Sequence, residues 1–150
     1  MQISLTWKRG LFSNRYKIYA NGKQIGYLKN NPFTQSGRGM LNNKEYAFKT
    51  KGLLNQKTKI INFTTSKTIG EINYSNWMNK ATIVFNDKAV NWKYDNARNT
   101  KWSITSSEGI HSTYAGSSMK GKIESNTDDP LILLSGLFVS NYYWQISFAI

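Results

Sequence analysis

Cysteine is absent from the chain, which excludes thiol redox chemistry, cysteine-ligated zinc and disulfide stapling. Histidine occurs once, at His111, so one copy of the chain cannot build a multi-histidine metal centre. Acid is scarce: 8 Asp and Glu stand against 20 Lys and Arg, leaving a net charge of +12. Charge is missing altogether from Leu131 to Ile150. The opening Met1 to Arg9 has no long apolar run and sets its basic residues after its apolar ones, the wrong order for a secretory signal. The expectation is a cytoplasmic protein, peripheral at a membrane if it meets one.

What remains is apolar and aromatic sequence in brief segments, divided by Asn, Gly, Asp and Ser. These predict strands near 2–8, 15–20, 23–29, 44–50, 58–64, 68–74, 80–86, 89–95, 101–106, 110–115 and 119–124. Tyr16, Ile18 and Ala20 alternate with Arg15, Lys17 and Tyr19, the period of a strand with one face on a core. Asn21-Gly22 supplies a tight hairpin turn, and Asn86-Asp87 and Gly116-Ser117 are weaker candidates. The strand, turn, Ile-Gly, strand order of Tyr16 to Leu28 recurs from Lys59 to Ile72, with Gly26 and Gly70 in equivalent places. Ile83 to Lys93 repeats the hairpin without the glycine. The echoes have no fixed period, so they do not mark a solenoid. At 150 residues and with no composition break, residues 1–150 are expected to form one domain.

The uncharged tail follows Asp128-Asp129-Pro130. An Asp that accepts amide hydrogen bonds, then Pro in the first turn, predicts a helix over 130–147, with the last few residues completing a buried plug. Leu131, Leu134, Phe138, Tyr142 and Ile146 line one side, yet Ile132, Leu133, Leu137, Val139, Trp144 and Phe148 cover much of the rest. A helix apolar nearly all round must be buried in protein or lipid. Ser135, Gly136, Ser140, Asn141, Gln145 and Ser147 suit close packing inside protein better than exposure to lipid. The expected fold is therefore mainly β: a closed antiparallel β-barrel of about 11–12 strands around a hydrophobic C-terminal helix.

The basic hairpin Tyr16 to Lys29, the run Tyr46-Ala47-Phe48-Lys49, the meandering strands through Glu124 and the Asp128-Asp129-Pro130 entry to the apolar tail carry a resemblance. Together they resemble the tubby C-terminal-like superfamily, which includes the plant LURP-one-related proteins and the phospholipid scramblases. The resemblance implies about a dozen antiparallel strands closed around a central apolar helix. It also implies chemistry at acidic lipid, since tubby proteins recognise phosphoinositide headgroups through basic residues and scramblases act at membranes. The proline-rich region, palmitoylation cysteines and calcium-site pattern of scramblases are missing, so lipid transport is not implied.

Enzyme signatures are thin. Glu108-Gly109-Ile110-His111-Ser112-Thr113 gives His111 no nucleophile-elbow context, though a hydrolase pocket around His111 is an alternative to weigh. Asp128-Asp129 is better placed to cap a helix than to do acid-base work. Glu45, Glu71 and Glu124 are scattered without metal-ligand spacing, and no metal or cofactor is expected. Tyr16, Tyr19, Tyr27, Phe33, Tyr46 and Phe48, interleaved with Lys and Arg, suit a nucleic-acid platform as well as a core. Trp7, Trp92, Trp102 and Trp144 are read as core fillers.

The charge is uneven: residues 1–60 hold a net +11 and residues 61–150 a net +1. The expected role is non-catalytic binding, or a structural or regulatory one, by a monomer. Its partner would be an acidic phospholipid headgroup or another polyanion, held by Lys17, Lys23, Lys29, Arg38, Lys44, Lys49 and Lys51. Nucleic acid is the alternative partner.

Overall fold

The computed structural model describes residues 1–52 and 54–148, with the backbone alone of Phe148. Twelve strands follow one another: β1 (Ile3–Arg9), β2 (Arg15–Ala20), β3 (Lys23–Asn31), β4 (Ser36–Leu41), β5 (Lys44–Lys51), β6 (Lys57–Asn62), β7 (Thr68–Tyr74), β8 (Lys80–Phe85), β9 (Lys88–Tyr94), β10 (Lys101–Thr105), β11 (His111–Gly116) and β12 (Lys120–Ser125). Each pairs antiparallel with its neighbours in sequence, and β1 pairs with β12, closing the barrel. Helix α1 (Pro130–Phe148) comes last. It begins as the sequence predicts: Asp129 Oδ1 accepts the Leu131 N–H at 3.0 Å, and its carbonyl takes the Leu133 N–H at 3.1 Å. Of the terminal residues after 147 expected to complete a plug, Phe148 continues the helix backbone and 149–150 lie outside the described residues.

The helix threads the barrel. Every residue from Leu131 to Tyr143 is buried, so no face is left for solvent. Phe48 stacks on Phe138 with ring centroids 4.6 Å apart, and Tyr74 on Tyr142 at 3.9 Å. Trp92 and Trp102 both donate their indole N–H to the Gly136 carbonyl, at 3.0 and 3.1 Å. Tyr16 donates to Asn141 Oδ1 at 2.8 Å, and Tyr114 to the Leu133 carbonyl at 3.0 Å. The Leu133 and Gly136 carbonyls and the Asn141 side chain are thus met by strand side chains from several sides of the wall, which offsets the cost of burying them, while the buried Ser135 hydroxyl has no partner among the described residues. Trp7, Trp92 and Trp102 fill the core as expected, while Trp144 is only partly buried.

The strand missing from the sequence reading is β4, whose sequence is Ser-Gly-Arg-Gly-Met-Leu. Its inward positions Gly37 and Gly39 have no strand propensity. They are vacant for the helix: a Cβ on Gly39 would sit 3.2 Å from a Leu134 methyl, and one on Gly37 3.1 Å from the Phe138 ring. The sequence echo also acquires a physical meaning. Ile18 pairs with Gly26 and Tyr19 with Gln24, so Ile25 is an extra residue; Ile60 pairs with Gly70 and Ile61 with Thr68, so Ile69 is the same extra residue. Both are β-bulges, and at both a Cβ on the glycine would strike a neighbouring strand's carbonyl oxygen, at 2.2 Å and 2.7 Å. The third hairpin lacks the glycine and keeps an unbroken register.

The buried tyrosines make the fold alkali-sensitive. Burial pushes the Tyr16 and Tyr142 hydroxyls up to about 12 from 10.0, and raises Tyr74 and Tyr114 as well. Below pH 10 this contribution to stability is whole. Between about pH 10 and 12 the unfolded chain releases phenolic protons that the fold retains, so stability falls as pH rises. We expect tyrosinate absorbance to rise in one steep step with loss of near-UV dichroism. A gradual titration with tertiary signal intact would contradict the placement of these rings.

Candidate polyanion-binding surface

Connectors alternate between the two ends of an antiparallel meander. Segments 10–14, 32–35, 54–56, 75–79, 95–100 and 117–119 lie at one end, here called the distal end, towards which the helix runs. Segments 21–22, 42–43, 63–67, 86–87, 106–110 and 126–129 lie at the other, proximal end, where the helix enters.

The outer face carries cations directly opposite one another. Lys8 faces Lys17 across β1 and β2, and Lys120 across β1 and β12. Arg15 faces Lys29, which faces Arg38. Further round the wall Lys49 faces Lys59 and Lys51 faces Lys57. All of these side chains are exposed. Adjacent strands run only about 4.8 Å apart, so each such pair weakens the sheet, by roughly 0.2–1 kcal/mol.

Of the seven basic residues singled out in sequence, Lys17, Lys29, Lys49 and Lys51 join these rows. Lys23 and Lys44 do not, because they stand at the proximal hairpin turns Asn21-Gly22 and Asn42-Asn43. Arg38 is in the row but engaged: its Nε lies 2.7 Å from Glu45 Oε2, and its guanidinium sits 3.7 Å above the Phe63 ring centroid. That hydrogen bond from Arg38 holds the Glu45 carboxyl below its usual range. Sequence reasoning passed over Lys8, Lys57, Lys59 and Lys120, whose signal is register across strands and not proximity along the chain.

Acid is sorted along the barrel axis. Glu45, Asp87, Glu108, Glu124, Asp128 and Asp129 lie at the proximal end, and Glu71 stands midway along β7, opposite Lys59. Among the described residues Asp95 is the one acid of the distal loops, and it already contacts Lys93 Nζ at 3.9 Å and the Ser103 hydroxyl. Beneath the first two distal loops a cleft of about 370 Å³ runs in beside the helix, lined by Arg9, Tyr16, Asn30, Asn141 and Trp144 among others. Arg9 holds the cleft's rim by donating to the Ser13 and Ser118 carbonyls. The Asn30 side chain is buried there with neither its amide nitrogen nor its oxygen paired.

The other candidates are dispersed. Tyr16, Tyr46 and Phe48 point into the core, so they cannot share an external stacking platform with Tyr19, Tyr27 and Phe33. His111 is exposed at the proximal start of β11, where its backbone N–H bonds to the Asn126 side chain. Asp129 is engaged as the helix cap and Glu124 accepts from Ser4. No helix among the described residues is long and apolar enough to cross a membrane. Comparison with protein-family models, curated proteins and solved structures finds no match, so the binding chemistry has to be read from this barrel's own surface.

Proposed function

We propose that this is a tubby-like barrel acting as a non-catalytic binding module for a polyanionic surface, acidic phospholipid headgroups first among them. The observation that carries the reading is the set of directly opposed cations, Lys120, Lys8 and Lys17 in one row and Arg15 and Lys29 in the next, where Arg38 beyond them is already paired with Glu45. Stability alone would favour acids between them. A row that repels itself is relieved when phosphates supply the missing charge. Three of the acids have structural tasks: Glu45 with Arg38 and Tyr27, Asp129 at the helix start, Glu124 with Ser4. Tyr16, Tyr46 and Phe48 are inside and withdrawn from any base-stacking platform, and the exposed aromatics Phe12, Phe33 and Trp77 stand on three separate loops, which favours headgroups over nucleobases.

The test is a matched pair of triple variants. Lys8→Gln, Lys17→Gln and Lys29→Gln together should weaken binding to phosphatidylserine or phosphoinositide vesicles by roughly a hundredfold, at about 1 kcal/mol per lysine near the surface. The same variant should unfold at higher denaturant concentration than the intact protein, because repulsion within the rows is gone. Lys23→Gln, Lys44→Gln and Lys88→Gln remove equal charge from the proximal end and should leave vesicle affinity within about threefold. Equal losses from the two variants would show that net charge, not this surface, does the binding. A preference of the intact protein for oligonucleotide over vesicles would move the assignment to nucleic acid.

A further inference from the structure

The distal end differs from the rest of the surface in a second way. Leu11, Phe12, Phe33, Leu54 and Trp77 are 70% to 98% exposed, and all five sit in distal connectors. They occupy the β1–β2, β3–β4, β5–β6 and β7–β8 loops, consecutive round the barrel. Elsewhere among the described residues the large exposed apolar side chains are Met1, Phe63 and Val84, of which Phe63 lies under Arg38. Burying none of five large apolar groups on one arc of rim is not what folding alone produces, since exposed apolar area concentrated in one place marks a contact.

We infer that the distal end docks on an anionic bilayer end-on, the apolar loop tips entering the interface while the cations behind them meet headgroups. This rests on the polyanion-binding reading and adds to it a partner and an orientation. Three observations choose a bilayer over a protein partner. The tips stand on four separate loops and do not line one groove, so they fit a fluid apolar layer better than a shaped surface. Lys8, Arg15, Lys29, Lys51, Lys57 and Lys120 lie in the strand ends just behind the tips, the arrangement of an interfacial membrane contact. The six proximal acids are held at the far end, where a negative bilayer would not repel them strongly, given a Debye length of about 8 Å. The remaining distal loops, 95–100 and 117–119, are polar and carry Arg98, so the inserted arc runs from β1 to β8 and the barrel axis is tilted.

The experiment uses the full chain and phosphatidylcholine vesicles with and without phosphatidylserine, over a range of salt. Phe12→Ser, Phe33→Ser, Leu54→Ser and Trp77→Ser are combined; all four sites are exposed, so the variant should unfold at the same denaturant concentration as the intact protein. We expect its affinity for anionic vesicles near physiological salt to fall roughly tenfold or more, because apolar burial is the unscreened part of the attraction, while oligonucleotide binding stays within about twofold. Brominated lipid should quench part of the tryptophan fluorescence of the bound intact protein, and Trp77→Phe alone should abolish that part. Binding undiminished in the combined variant, with no quenching dependent on Trp77, would overturn insertion and leave the charge-based reading standing. Absence of any vesicle binding, with oligonucleotide still bound, would overturn the bilayer as partner. Absence of both would remove the polyanion reading as well. Concentration-dependent self-association lost in the combined variant, without lipid quenching, would reassign the tips to contact between copies.

Discussion

Removal of residues 131–150 is expected to leave a chain with no cooperative unfolding transition. The helix contributes Leu131, Ile132, Leu133, Leu134, Leu137, Phe138, Val139, Tyr142 and Tyr143 to the core, all nearly inaccessible to solvent. At about 1.5–3 kcal/mol for each buried side chain, their loss is worth roughly 15–25 kcal/mol, more than the whole stability of an ordinary domain, about 5–15 kcal/mol. The strands would also lose what they bury against. Trp92 and Trp102 would have no carbonyl for their indole N–H groups, and Tyr16 and Tyr114 no acceptor for their hydroxyls. A twelve-stranded wall without its filling has an interior too wide for its own side chains to close. The truncated chain should bind hydrophobic dyes, lose near-UV dichroism and show a sloping response to denaturant. A sigmoidal transition from the truncated chain would mean that the barrel is self-sufficient and the helix an accessory.

That dependence was legible because the helix advertises itself twice, by the Asp129-Pro130 start and by apolar residues on every side. A surface helix would have had a polar stripe. The strands were legible from alternation where side chains create it, as in Arg15 to Ala20. Strand β4 was not, because its inward positions are vacated for Leu134 and Phe138, and a vacancy has no hydrophobic period. The faint Ile-Gly echo could be noticed in sequence, but its content, the same bulge built twice, depends on pairing.

The candidate site was legible only in its chemistry. Counting charge by position along the chain separates a basic amino-terminal part from a neutral remainder. The barrel then folds Lys80, Lys101 and Lys120 back to the same end as Lys8, Arg15 and Lys51. Strand direction reverses at every turn, so Lys44 and Lys49, five positions apart on one strand, finish towards opposite ends. The polarity of the barrel is therefore a product of topology, which composition cannot carry. Phe33 lies in sequence among Tyr16, Tyr19, Tyr27, Tyr46 and Phe48, and nothing in that interleaving with Lys and Arg separates it from those that enter the core. Its own context, Asn31-Pro32-Phe33-Thr34, is turn chemistry, and a large apolar residue inside a polar connector is the signal that would have found both it and Trp77.

Gly136→Val should prevent folding under conditions where the intact chain is stable. A glycine in mid-helix costs about 0.5–1 kcal/mol relative to alanine, so its presence at the centre of the core calls for a compensating reason. The reason is contact: a Cβ at this position would fall 2.1 Å from the Tyr114 hydroxyl oxygen and 2.4 Å from the ring carbon that bears it. Tyr114 is itself fully enclosed and stacked on Trp102, with centroids 5.6 Å apart, so it cannot swing aside into solvent. Moving it breaks the bond to the Leu133 carbonyl, a loss of about 1–3 kcal/mol for a buried group left unpaired. Moving the helix instead withdraws the Gly136 carbonyl from both indoles. With overpacking strain of a further 1–3 kcal/mol or so, the first route costs roughly 2–6 kcal/mol and the second, which leaves two indole N–H groups unpaired, roughly 3–9 kcal/mol, against a stability of about 5–15 kcal/mol for an ordinary domain. Gly10→Ala is the control, since its Cβ would meet nothing nearer than 3.5 Å, and it should change stability by no more than about 0.5 kcal/mol. Combining Gly136→Val with Tyr114→Val opens the space the new methyls need, so the double variant should be less impaired than the two single losses added together. Were Gly136→Val to unfold at the same denaturant concentration as the intact protein, the helix would not sit in the barrel at this height, and the packing described for its whole length would have to be redrawn.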